Sequence, residues 1–216
     1  MRNQEKDELE MAARREAMLT EGFRLFSEKG IEAVSMQEVA NACGVGVATL
    51  YRYYNTKAAL AIAISRRQWE NYAVFVRARQ REEHVESLTA AERLAFYLDF
   101  YIELYQDHSA MLRFNQNFNN YVRHEGVTRE QMGPYMAAIG GFAEMFHELY
   151  EQGRRDGTLR TDLSEEKMFA STMHIMLAVA VRYAQGLLYS ADDDSDRMEE
   201  MRLLKRMILS EMTVTR

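Results

Sequence analysis

The chain has 216 residues, 47% of them hydrophobic and 28% charged, which is enough to bury a core without disulfides or metals and excludes a disordered or fibrous chain. A net charge of −6 argues against nucleic-acid binding by bulk charge, although a local phosphate site needs only a few well-placed groups. The single cysteine, Cys43, excludes an intramolecular disulfide and any CxxC metal or redox motif.

Residues 1–8 read as a frayed polar arm with no apolar stretch of the kind a secretory signal needs. From Leu9 to Lys29 the apolar positions Met18, Leu19, Phe23, Leu25 and Phe26 recur at helical spacing, and Gly30 stands where a left-handed residue ends a helix. Ser35 followed by Glu38 predicts a capping box and a second helix, about two turns long, ending at Gly44. A third short helix is predicted from about Val47 to Tyr53. A fourth, capped by Asn55 or Thr56, extends to about Arg81. The charged break Arg81 to Glu86 follows. Proline occurs once, at Pro134, so further long helices are expected, over 90–107, 109–123, 128–156, 163–189 and 195–213. The longest apolar run, between Lys167 and Arg182, is too short to span a bilayer. The acidic stretch Asp192 to Asp196 reads as a solvated loop that caps the last helix. No segment alternates as a strand.

Residues 35–57 have the organisation of a helix-turn-helix. Ala40 is small where two helices cross, Gly44 can take the positive φ of a tight turn, and Val39, Val45 and Leu50 have the spacing to fill the core between them. The second short helix then projects Val47, Ala48, Thr49, Tyr51, Arg52 and Tyr53, and a helix of this size fits the major groove of B-DNA.

Phe23 to Gly30, Glu38-Val39-Ala40, Gly44-Val45, Thr49 to Lys57 and Leu60 together resemble the tetracycline-repressor-type (TetR) transcriptional regulators over roughly residues 14–60. Beyond residue 60 the resemblance is architectural, apart from the turn Gly157 to Asp162. It implies an all-α fold: an N-terminal three-helix helix-turn-helix domain, residues 1–60, and a C-terminal helical ligand-binding and dimerisation domain, residues 61–216. It implies that Thr49, Tyr51 and Tyr53 face DNA, that Val47 and Ala48 lie near the start of the recognition helix, and that Lys57 touches a phosphate. Ser35 and Gln37 would approach the DNA backbone. The chemistry agrees: a lysine at a helix N-terminus and tyrosine or threonine hydroxyls suit phosphate, while Val47, Ala48 and the Thr49 methyl suit thymine methyls. Arg52 and Gln37 are the candidate direct readers of base edges, with the choice between them open. Gly46 departs from the usual serine-like cap of the recognition helix. Gly22 stands where alanine is common and should cost the first helix up to about 1 kcal/mol unless close packing needs it. Residues 1–60 carry eight basic and nine acidic side chains, so non-specific DNA affinity should be weak and salt-sensitive.

Other motifs read more simply. Gly44 to Thr49 approaches GxGxxG but follows a helix, not a strand. His147-Glu148 lacks the second histidine of a zinc site, and Glu144-x-x-His147 occurs once where a di-iron bundle needs two, so both read as the polar face of a helix. His174, inside an apolar stretch, reads as a hydrogen-bonded core residue, and Cys43 as a small packed hydrophobe. No metal, cofactor or catalytic arrangement is expected. Met111, Phe114, Phe118, Met136, Phe146, Met173, Met176 and Tyr183 recur at helical spacing and are either plain core or the lining of an adaptable ligand pocket. The last two long helices, the second through Met201, Leu204, Ile208 and Met212, could pair across a two-fold axis.

These observations predict a cytoplasmic, homodimeric regulator, not an enzyme. It would be a ligand-responsive repressor that binds an inverted-repeat double-stranded DNA operator and is released by a small apolar or aromatic molecule. The alternative is an all-α small-molecule-binding protein or enzyme without a DNA role, suggested by the acidic balance.

Overall fold

The computed structural model describes residues 2–186 and 194–214, and among them the chain is helical, with no strand beyond one isolated bridge. The helices are α1 Arg2–Lys29, α2 Met36–Ala42, α3 Val47–Tyr53, α4 Lys57–Glu82, α5 Ala90–Asp107, α6 Ser109–His124, α7 Gly133–Asp156, α8 Glu165–Gln185 and α9 Asp194–Met212. A 3-10 turn, Val85–Ser87, precedes α5. The end of the predicted 163–189 helix, and Asp192 and Asp193 of the acidic stretch, lie outside the described residues.

The boundaries differ from expectation at two places. The expected polar arm is helical, because α1 begins at Arg2. Its residues are mostly good helix formers, and Glu10 pairs with Lys6 at 4.0 Å and with Arg14 at 3.6 Å, one turn away on either side. α7 begins at Gly133 instead of 128, because Thr128 and Gln131 close a reciprocal turn of their own and Pro134 suits a helix's first turn.

The chain forms two compact units that do not follow chain order: residues 1–70 with 113–138, and residues 71–112 with 139–216. The core of the first unit gathers Met18, Phe26, Val34, Val39, Leu50, Leu60 and Ile64 around Phe114, Phe118 and Tyr121. Thus α6 completes the core of the helix-turn-helix: Phe23 meets Phe114 at 5.6 Å between ring centroids, and Phe114 stacks on Phe118 at 5.9 Å. Gly22 has its packing reason here, since a Cβ in its place would lie 2.7 Å from Cδ1 of buried Ile64.

In the second unit α5 packs on α8 and α9, and the core includes Leu94, Leu98, Leu104, Met176, Ala180 and Met201. Asp156 joins two parts of it, accepting the Ala90 N–H at the start of α5 at 2.8 Å and the Thr158 hydroxyl at 2.7 Å. Gly157, at φ +67°, turns the chain so that Arg160 N–H donates to Met212 and Val214 N–H donates to Thr158, both at 2.9 Å. Those two bonds fasten the C-terminal end of α9. Gly153 gives Leu159 room, because a Cβ would come within 2.7 Å of it.

Two assignments on α8 and α9 need correction. His174 is exposed, not a core residue, and it shares a solvent-facing side of α8 with Ile175 and Ala178. Met201, Ile208 and Met212 are buried within their own unit, so they are not free to cross a two-fold axis. The apolar residues left outside are Leu203 and Met207, 49% and 60% exposed. They lie one turn apart, so they share a face of α9.

Candidate nucleic-acid interface

Local chemistry sets the helix-turn-helix. The Ser35 hydroxyl accepts the Glu38 N–H while Glu38 accepts the Ser35 N–H at 2.8 Å, so both orphan donors at the start of α2 are satisfied. Those hydrogen bonds hold the Glu38 carboxyl below its usual range. At the other end Gly44 takes φ +65°, which lets Val45 N–H return to Ala40 at 3.0 Å and turns the chain into α3. Gly46 starts α3 with its carbonyl alone, without a side-chain cap. Ala40, Val39 and Leu50 close the interface between the helices, with Val45 packed beside them.

This packing uses one side of α3. Leu50 alone among its residues is buried; Ala48, Tyr51 and Arg52 are exposed, and Val47, Thr49 and Tyr53 are half-buried. Tyr51 is 47% exposed, a high value for a large aromatic, and it leaves a hydroxyl and a ring on the open side. The Arg15 guanidinium lies 5.9 Å from the centroid of the Tyr53 ring. The Cys43 Sγ lies 3.7 Å from the Ala17 carbonyl oxygen, and burial pushes its thiol pKa up, against a reactive thiolate.

The polar residues nearby differ in how far they are committed. The Ser35 hydroxyl also donates to Glu38 at 2.9 Å, so its hydrogen is spent within the cap. Gln37 is exposed on α2 and donates to Asn41 at 2.8 Å. Lys29 pairs with Glu38 at 3.7 Å, and Arg24 pairs with both Glu21 and Glu28. Lys57 donates to three backbone carbonyls, Ile31 at 2.8 Å, Val34 at 3.0 Å and Glu32 at 3.2 Å, and lies 5.4 Å from the centroid of the Tyr121 ring. An ammonium has three hydrogens, and here all three point at the loop between α1 and α2. By contrast Arg52, in the last turn of α3, is exposed and has no hydrogen bond or ion pair among the described residues.

An exposed short helix after a glycine turn, with hydroxyls, small apolar groups and one uncommitted guanidinium, is chemically suited to phosphates and base edges. Residues 18–64 match the family model of bacterial regulatory proteins, tetR family. Residues 18–64 therefore form a tetR-family helix-turn-helix segment. It is 24% identical over 145 residues to an HTH-type transcriptional regulator of Staphylococcus aureus (strain MRSA252), covering 67% of this chain and 70% of that protein. The same fold is seen in the transcriptional regulator FadR of Bacillus subtilis in complex with stearoyl-CoA, at TM-score 0.68 and 16% identity over 90% of this chain and 97% of that one. A regulator of Saccharomonospora viridis in complex with choline has TM-score 0.69 and 17% identity over 94% of this chain and all, 100%, of that one.

Of the eight residues considered for a ligand pocket, three lie in the unit that holds α3 and five in the other. In the unit that holds α3, Phe114 and Phe118 are core, with Tyr135 5.3 Å from Phe118, and Met136 is 49% exposed. In the other unit Met111, Phe146 and Met176 are buried, and Met173 is half-buried. There Phe146 packs on Phe169 at 5.1 Å. Tyr183 packs on Tyr105 at 5.9 Å and donates to Glu200, and burial together with that carboxylate pushes the phenol up to about 12. His147 binds Glu165 at 3.0 Å on the surface. Among the described residues no group of three or more metal-ligating side chains occurs. No described helix is long and apolar enough to cross a membrane.

Sequence reasoning missed two features. One is the set of carbonyls around Lys57, which are backbone groups and leave no residue-type signal. The other is the service of α6 to the DNA-binding unit. The stripe Phe114, Phe118 and Tyr121 announces a buried face without saying which core it enters.

Proposed function

We propose that the protein is a cytoplasmic, ligand-responsive repressor that binds an inverted-repeat operator as a homodimer. The observation that carries the reading is the open side of α3: Ala48, Tyr51 and Arg52 face solvent, while Leu50 is buried and Val47 and Tyr53 pack partly against the core. Thr49, Tyr51 and Tyr53 would contact the backbone through their hydroxyls, Val47 and Ala48 would meet thymine methyls, and Arg52 or Gln37 would read a base edge. Ser35 would assist through its backbone at the start of α2. Lys57 would serve mainly by holding the α1–α2 loop from which α2 springs.

The exposed apolar positions Ile175 on α8 and Leu203 and Met207 on α9 would meet a second copy. Two recognition helices would then meet half-sites about one helical turn apart. The stearoyl-CoA and choline held by structures of the same fold support a small-molecule effector for this chain as well. Such a ligand, with an apolar or aromatic body, would act by its differential affinity for two dimer geometries, commonly about 1–3 kcal/mol of coupling.

The test is a gel shift with DNA flanking the protein's own coding region. A specific complex that survives competitor DNA is expected, with reduced affinity in the Tyr51→Ala variant. Absence of any specific complex at low salt would leave an all-α small-molecule-binding protein without a DNA role.

A further inference from the structure

The second unit holds an open recess of about 240 Å³ lined by Arg77, Gln80 and Arg81 of α4, Val85 and Glu86 of the 3-10 turn, Arg93 of α5 and Glu148 of α7. Its lining includes three arginines and two glutamates. We propose that this recess binds an anionic group, a carboxylate or a phosphate, and that it is where the effector's charged end is recognised. This rests on the reading of the protein as effector-responsive and adds the chemical class of the ligand.

Three observations point to an anion. Arg77 and Arg81 stand one turn apart on α4, where like charges repel, and neither guanidinium has a hydrogen bond or an ion pair among the described residues. Arg79 on the same helix shows the usual outcome, paired with Glu83 at 3.3 Å and Glu103 at 3.5 Å. Arg93, in turn, is held in place: it donates to Gln152 at 2.6 Å and to the Tyr97 hydroxyl at 3.1 Å. Gln80 braces the same hydroxyl from α4 at 2.8 Å. Finally, the Arg93 Nε is buried and has no acceptor among the described residues. A buried N–H without a partner is costly.

A fixed guanidinium beside two adaptable ones suits planar or tetrahedral oxyanions, which arginine binds through paired N–H groups. The volume is below the range of about 300–1,000 Å³ usual for whole drug-sized ligands, so it fits a head group better than an entire molecule. Glu86 and Glu148 limit the net charge of the lining, so a singly or doubly charged group suits it better than a polyanion.

Calorimetric titration of the full chain, without DNA, with sodium octanoate and separately with sodium phosphate at matched ionic strength tests the proposal. At least one probe is expected to bind, octanoate marking a carboxylate site and inorganic phosphate a phosphate site. The double variant Arg77→Gln/Arg81→Gln, both at exposed positions, should weaken that binding by about tenfold or more, while Arg129→Gln in the other unit should leave it unchanged. The proposal is overturned if neither probe binds up to about 10 mM, or if the double variant binds as the parent does. A failed titration with an intact operator complex would remove the anion site alone. Loss of the operator complex would remove the regulator reading and leave the titration unaffected.

Discussion

The ammonium of Lys57 lies 2.8 Å from the carbonyl oxygen of Ile31, and with Val34 and Glu32 it closes the loop between α1 and α2 from the first turn of α4. Those carbonyls belong to a segment with no helix of its own to satisfy them, so one charged side chain replaces several backbone bonds. Lys57→Ala should therefore lower stability by about 1–3 kcal/mol, the range for hydrogen bonds to a charged group at a partly exposed site. Urea unfolding checks it. An unchanged midpoint would mean that the lysine is free to leave the loop.

Arg52 has the opposite circumstance, a charge on the open side of α3 without a partner among the described residues. Arg52→Ala should leave the unfolding midpoint nearly unchanged and weaken operator binding. If the guanidinium meets phosphate, the slope of log affinity against log salt should flatten by about one unit. If it meets a base, the loss should instead be confined to one operator position, at about 1–3 kcal/mol. Anisotropy titrations at several salt concentrations distinguish the two outcomes.

Leu203 and Met207 face solvent one turn apart on α9. Leu203→Glu combined with Met207→Glu should halve the apparent mass in sedimentation and leave the far-ultraviolet circular dichroism unchanged, because neither side chain belongs to the core of its unit. A dimer that persists would place the two-fold contact on another face.

His147 on α7 and Glu165 at the start of α8 form a surface pair, and the hydrogen bond to the carboxylate raises the imidazole pKa above its ordinary value. A raised value means that the folded state favours the protonated form. The pair's contribution is complete below the ordinary imidazole range, near pH 6.5, and fades as pH rises through the folded value. In Glu165→Gln the His147 titration followed by NMR should move down toward the ordinary range. A histidine titrating at the same pH in both proteins would show that the pair does not persist in solution.

The sequence was most legible where structure is local. Ser35 with Glu38 specified the start of α2, Gly44 specified the turn, and the Leu50 spacing specified the buried side of α3. Each of these depends on contacts within a few residues, which leave a periodic or capping signature. The all-α class followed in the same way from a nearly proline-free chain with helical apolar spacing.

What depended on chain segments far apart was decided by the tertiary structure alone. The stripe on α6 could have lined a pocket, and packing put Phe114 and Phe118 into the core around α1 and α4. Met201 and Ile208 could have met a partner, and packing turned them inward, leaving Leu203 and Met207 outside. Arg77, Arg81 and Arg93 are unremarkable as separate letters and become a candidate anion site once α4 and α5 lie side by side. An amphipathic pattern states that a face must be covered, because apolar area leaving water is favourable wherever it goes. It does not state by what, since that choice rests on shape and on groups many residues away.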